Sequence, residues 1–245
     1  MRSGAAGEAA GGSKAFGGGR LLRIGIPLMA LAFLLNACGG DTRRTEVAAR
    51  PPVIAPDGVL ERASLPALVN SPELCTFALG QSSVDFTPLP DTEHARGCGL
   101  SHGGTFEPAS MSFDSQVTAS CGMVAGLSVW EREVLQPLAQ RHFGQGVREV
   151  RHWGTYACRN RNSRQAGQRS EHARANAIDI HAFMLTDGSV ISVRHDWQAA
   201  DARGAFLRDL RDGSCDVFRG VLSPDADAAH RDHFHFDMGR WTFCR

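Results

Sequence analysis

"AIDIHAF" (177–183) and, two residues further on, "TDGS" (186–189) and "VISVR" (190–194) decide the fold. Two runs rich in β-branched residues flank a turn signal, so the stretch reads as a β-hairpin. A third run, "HFHFDM" (233–238), alternates strictly and reads as another strand. Side chains two apart on a strand share a face. His233, His235 and Asp237 therefore point one way, and Phe234, Phe236 and Met238 point into a core. By the same rule Asp179 lies opposite Ile178 and Ile180. Outward from these strands, "LSVWEREVLQPLAQRHFG" (127–144) reads as a helix whose apolar stripe is Leu127, Trp130, Val134 and Leu138. Ser128 and Glu131 have capping-box spacing, Pro137 kinks the helix and Gly144 ends it. "VREVRHW" (147–153) is strand-like, and "DARGAFLRDLRDG" (201–213) is a second helix with Ala205, Leu207 and Leu210 facing inward. The segment 61–120 is weakly patterned and reads as strands and loops. With no regular βαβ rhythm, the expected class is α+β, a small antiparallel sheet flanked by helices.

The chain has 245 residues with 26 basic and 26 acidic side chains, hence no net charge. That removes the electrostatic reason to expect nucleic acid or an acidic membrane surface as partner. Arg20 and Arg23 precede an apolar run, "IGIPLMALAFLL" (24–35), that is short of the ~20 residues a spanning helix needs. The run ends in "LNAC" (35–38), which resembles a bacterial lipobox. The expected organisation is a lipoprotein signal peptide over 1–37, a lipidated Cys38 with a flexible linker to residue 60, and one domain over 61–245. The alternative is an ordinary secretory signal with a chance cysteine. The Gly39-Gly40 pair after Cys38, without Asp in second place, favours a periplasmic position on the outer membrane. Of seven cysteines, removal of Cys38 leaves six, enough for three disulfides among fifteen connectivities. Pairing sequence neighbours gives Cys75–Cys98, Cys121–Cys158 and Cys215–Cys244. No two cysteines lie close enough for a zinc ribbon.

Two polar clusters carry the chemistry. "HRDHFHFD" (230–237) holds three histidines and two aspartates in eight positions. By itself it suits a metal site, an acid/base site or a half-exposed strand. The second cluster is "SEHARANAIDIH" (170–181). If the two strands are antiparallel neighbours, His172, Asp179 and His235 converge as two imidazoles and one carboxylate. That is a common catalytic zinc set with a fourth position open to water. Copper and iron accept similar donors, but non-redox hydrolysis outside the cytoplasm favours zinc. A buried His172–Asp179 hydrogen bond without metal is the alternative.

"SEHARANAID" (170–179) resembles the S-x-H-x-x-G-x-A-x-D motif of the D-Ala-D-Ala metallopeptidases, which include D,D-carboxypeptidases and penicillin-insensitive murein endopeptidases. "DHFH" (232–235) resembles their closing H-x-H. The wider run, from "TYACR" (155–159) through "LSPDADAAHRDHFHFDMGR" (222–240) to "FC" (243–244), resembles the bacterial extensin-like C-terminal domain family over 62–245. The resemblance implies a D-Ala-D-Ala metallopeptidase-like fold, with His172, Asp179 and His235 as zinc ligands. His233 is the favoured general base, Asp232 follows it, and His230 is an oxyanion stabiliser. Arg159 would bind substrate carboxylate or carbonyl, and Ser170 would support His172. The implied function is a lipid-anchored zinc peptidase acting on peptidoglycan cross-links or D-Ala termini, monomeric and without nucleic acid. The rival is a catalytically inactive wall-binding or structural lipoprotein on the same fold. One departure is Ala175 where the motif has glycine. Were positive φ needed there, alanine would cost roughly 1 kcal/mol, so a locally different backbone is expected.

Overall fold

The structure is a computed structural model that describes residues 54–55, 57–94 and 97–245. The apolar leader, the lipobox, Cys38 and most of the linker lie outside the described residues. Helices open the domain where strands and loops were expected. A 3-10 turn, Arg62–Ser64, leads into α1 (Leu65–Asn70) and α2 (Pro72–Gln81). Pro66 and Pro72 sit in the first turns of these helices, where a missing N–H costs nothing. Leu65 and Leu68 on α1, and Cys75, Ala78 and Leu79 on α2, are buried.

Short strands follow: β1 (Asp85–Pro88), β2 (Thr92–His94), β3 (Cys98–Leu100), β4 (Gly103–Glu107), β5 (Ser112–Phe113) and β6 (Val117–Ser120). β1, β4 and β6 form one antiparallel sheet, and β2 with β3 another. α3 (Cys121–Trp130) is buried on nearly every side, a π-turn occupies Glu131–Leu135, and α4 (Gln136–Phe143) ends at Gly144 with φ 67°. The helix thus starts well before Ser128, and no capping box forms. Glu131 is instead buried and accepts from Ala109 N (3.1 Å), Ser110 N (2.6 Å) and Ser110 Oγ (2.7 Å). The π-turn lies just ahead of Pro137, whose ring cannot join the i to i−4 ladder.

β7 (Val147–His152), β8 (Ala177–Leu185) and β9 (Val190–Ser192) come next, then a short α5 (Val193–Asp196) where the strand was expected to continue. α6 (Ala202–Ser214) buries Phe206, Leu207 and Leu210, with Ala205 half-buried. β10 (Gly220–Leu222), β11 (Phe234–Asp237) and β12 (Phe243–Cys244) complete the chain. The main sheet has seven strands in the order β12-β10-β11-β8-β7-β5, with β9 also on β8. It is antiparallel except for its outer pairs, β10–β12 and β5–β7. The class is therefore α+β, as expected, with a larger sheet. One face of β8 and β11 buries Ile178, Ile180, Phe234 and Phe236, with Phe236 against Trp130 and Phe218 and Phe234 against Trp197.

Three disulfides close the domain: Cys75–Cys121, Cys98–Cys158 and Cys215–Cys244. Only the last matches the sequence-neighbour pairing. The other two exchange partners because the packing of α2 on α3, and of the β3 hairpin on the loop after β7, brings distant cysteines together. Non-reducing peptide mapping is expected to recover these three cross-links. Replacing Cys75 and Cys121 together by serine is expected to lower stability by about 2–4 kcal/mol in denaturant titration.

Candidate metal centre

The site is built on the face of β8 and β11 that turns away from the core. Asp179 and His235 stand directly opposite each other in the antiparallel register. His172 reaches them from a 3-10 turn, Glu171–Arg174, capped by Ser170, whose Oγ accepts from His172 N at 3.4 Å. The turn ends at Ala175, which adopts φ 51°, ψ 33°. The backbone is thus left-handed at the motif's glycine position, against the expectation of a different local path. Alanine carries that strain at a cost of about 1 kcal/mol. The turn is held by Asn176, which donates to Glu171 Oε2 (2.9 Å) and accepts from Ser120 Oγ (2.8 Å).

Three acceptor atoms meet. Asp179 Oδ1 lies 3.0 Å from His172 Nε2 and 2.9 Å from His235 Nδ1, and the two nitrogens are 3.1 Å apart. All three residues are buried. The outer nitrogens are committed elsewhere. His172 Nδ1 donates to the carbonyl of Thr155 at 3.1 Å, and His235 Nε2 donates to Asp237 Oδ2 at 3.0 Å. A carbonyl and a carboxylate only accept here, so the protons must sit on those outer nitrogens. Lone pairs of both rings are left facing the Asp179 carboxylate. Such outer-nitrogen anchoring by carbonyl or carboxylate is the usual support of metal-bound imidazoles.

The charge balance follows from this packing. Burial opposes ionisation of Asp179, but in the metal-free site an imidazole that takes up a proton on its inner nitrogen donates it to this carboxylate, and that bonding with His172 and His235 outweighs burial and holds Asp179 well below its ordinary range. Burial likewise opposes a charge on His235, but Asp179 and Asp237 outweigh it and push that imidazole up to about 9. One cation, proton or metal, is thus required among three acceptors. The donor atoms of His172, Asp179 and His235 form a group able to hold a metal ion. Their separations of 2.9–3.1 Å approach the roughly 3.3 Å edge of a tetrahedron with about 2.0–2.1 Å bonds. The residues fit a zinc ion.

Around this triangle the remaining sequence-derived residues take distinct places. His233 Nε2 lies 3.7 Å from Asp179 Oδ1, while its Nδ1 is 3.0 Å from Asp232 Oδ1. Asp232 therefore holds the far edge of His233 rather than facing the triangle. His230 Nδ1 lies 2.8 Å from Asp227 Oδ1, and its ring centre is 5.2 Å from that of His233 and 5.8 Å from that of His235. Burial lowers the affinity of His230 for a proton, with Asp227 opposing. Arg159 Nη2 lies 3.6 Å from Asp179 Oδ2. Arg159, Arg161, Ser170, His230 and His235 line a cavity of about 410 Å³ beside the triangle. The sequence reading left Thr155 and Asp227 unmarked. Asp227 carries a legible signal, a capping aspartate three residues before His230; Thr155 acts through its carbonyl, which no side-chain pattern reveals.

Metal analysis of folded wild-type protein is expected to find one zinc per chain, and His172→Ala and Asp179→Ala are each expected to have none. Asp237→Asn is expected to weaken zinc binding about ten- to a hundredfold. The pH dependence has a definite sign. After chelation, the raised His235 contributes stability that is full below about pH 6.5 and is lost as pH rises through about 9. Thermal unfolding of chelated protein should show that loss, and zinc binding near pH 7 should release about one proton in calorimetry across buffers.

The family described as extensin-like protein C-terminus matches residues 73–245. No curated protein and no solved structure matches the chain.

Proposed function

The chain belongs to the extensin-like protein C-terminus family, and from that premise we propose an exported, lipid-anchored zinc peptidase acting on cell-wall peptides. The observation that carries the reading is the convergence of His172, Asp179 and His235 with both outer imidazole nitrogens already bonded. The motif resemblance to D-Ala-D-Ala metallopeptidases supports the substrate class, a peptide carbonyl next to D-alanine. Export and the anchor at Cys38 rest on the leader sequence.

A zinc ion on this donor set, when bound, acidifies a water and polarises a carbonyl. The chain's own groups do the rest. His233 presents Nε2 toward the triangle while Asp232 holds its Nδ1, so the ring can take a proton from the attacking water and pass it to the leaving amine. Asp232 stays ionised, because the His233 hydrogen bond outweighs its burial, and it stabilises the imidazolium that forms. His230 donates through Nδ1 to Asp227, which leaves an acceptor at Nε2. It therefore suits a substrate N–H better than an oxyanion. Arg159, at the cavity wall and 3.6 Å from Asp179, is the donor best placed beside the triangle for a carboxylate or a developing oxyanion.

The test is cleavage of purified wall peptides by zinc-loaded protein, read by mass spectrometry, with and without chelator. His233→Ala is expected to lose about a hundredfold or more in kcat while keeping its zinc. Arg159→Ala is expected to act mainly on KM. No cleavage by correctly metallated protein, with wall affinity intact in a His233→Ala, Asp232→Ala double variant, would sink the peptidase reading in favour of a binding lipoprotein.

A further inference from the structure

Trp153 sits at the edge of the metal centre and is 57% exposed, whereas Trp130 and Trp197 are buried. Lone exposed apolar side chains are ordinary; this one is set apart by how it is held. One face of its indole stacks on His181, with ring centres 5.0 Å apart and planes at 18°. Its centre is also 5.0 Å from that of His233. Its backbone N donates to the carbonyl of Asp179 at 2.8 Å, so the platform is pinned to a residue of the triangle. Gly154, with φ 106°, then turns the chain away toward Thr155 and Arg159. The other exposed tryptophan, Trp241, has Arg240 over its ring; no cation lies over Trp153 among the described residues.

The surroundings of this indole are polar. The pairing of β7 with β8 is irregular between Arg151 and His152, and the irregularity leaves His181 without a partner on β7. Such bulges re-aim side chains next to functional sites. Arg151 and Glu149 form an ion pair at 2.8 Å on the same stretch of β7, half-buried beside Met184. Asp232 lies behind His233 on the other side. An aliphatic side chain prefers an enclosed apolar pocket, and none surrounds this ring. A pyranose offers an apolar face of C–H groups for the indole and a rim of hydroxyl and amide groups for Arg151, Glu149 and His181.

We propose that Trp153 is the stacking platform of a saccharide subsite, so that the protein takes its peptide substrate still attached to an N-acetylated amino sugar. This deepens the wall-peptide reading and rests on it for its place in the reaction, but its test does not require turnover. The probe is tri-N-acetylchitotriose, which carries no peptide, titrated into the purified protein and followed by calorimetry and by NMR of the indole N–H signals. Saturable binding is expected. Trp153→Ala should weaken it about tenfold or more, and Trp153→Phe should restore most of it. Chelation of zinc should leave it unchanged, which a role through the metal would not. Binding of this kind without any peptidase activity would uphold the subsite and overturn only the enzymatic reading. No saturable binding, or equal binding by Trp153→Ala with its disulfides and zinc intact, would overturn the subsite. So would Trp153-dependent binding of a sugar-free wall peptide with none of the saccharide.

Discussion

The pairing of Asp179 with His235 across β8 and β11 is the constraint on which the rest depends. Each residue alternates with core side chains on its strand: Ile178 and Ile180 on one, Phe234 and Phe236 on the other. A register slip of one residue would expose all four and bury the polar set instead. Burial of each such side chain is worth about 1.5–3 kcal/mol. That sum fixes the strands in the one register that sets a carboxylate against an imidazole. Left to themselves, three buried acceptors repel. The apolar face offsets that repulsion, and a cation among the acceptors removes it.

The same alternation made much of this legible. The alternation at 233–238, and the isoleucines either side of Asp179, were enough to place Asp179 and His235 each on the polar face of its strand; that the two strands pair antiparallel was a supposition that the structure bears out. Gly144 ended its helix as a glycine in a left-handed cap does. The parts that were not legible share a cause: they depend on partners far away in sequence. α1 and α2 have short apolar stripes, and only the prolines in their first turns mark them. Glu131 reads as the capping-box partner of Ser128, yet it is buried inside the helix because Ala109 and Ser110 bring their donors to it. The disulfide partners of Cys75 and Cys98 are set by helix and hairpin packing over separations of 46 and 60 residues. Ala175 misled in another way: alanine at the motif's glycine position suggested a different local path, yet the backbone is left-handed there.

The loop between β7 and the His172 turn contains little regular structure, yet it carries Thr155 and Arg159. Its order comes from a few strong ties. Thr155 Oγ1 donates to Thr118 O at 2.6 Å, and Ala157 N donates to the carbonyl of His172 at 3.1 Å. Cys158, bonded to Cys98, fixes the residue immediately before Arg159. A covalent tie suits this position because an irregular loop cannot supply the ladder of hydrogen bonds that would otherwise locate a guanidinium. The disulfide therefore bears on the geometry of the site as well as on stability.

Between Asp227 and Asp237, three aspartates each hold one histidine: Asp227 with His230, Asp232 with His233, and Asp237 with His235. The spacings differ, at three, one and two residues, because the first lies on a 3-10 turn, the second at the strand's entrance and the third on the strand itself. In each pair the carboxylate binds one ring nitrogen and leaves the other free to act. What each free nitrogen can do then depends on what it faces. His235 faces Asp179 at 2.9 Å with His172 beside it, so it needs a cation. His233 stands 3.7 Å off, outside that triangle but within reach of a molecule lodged there, which suits proton transfer. His230 faces the cavity with its proton affinity lowered, which suits accepting a hydrogen bond. The H-x-H spacing alone would not separate these roles; the aspartates beside it do, by deciding which nitrogen of each ring is left open.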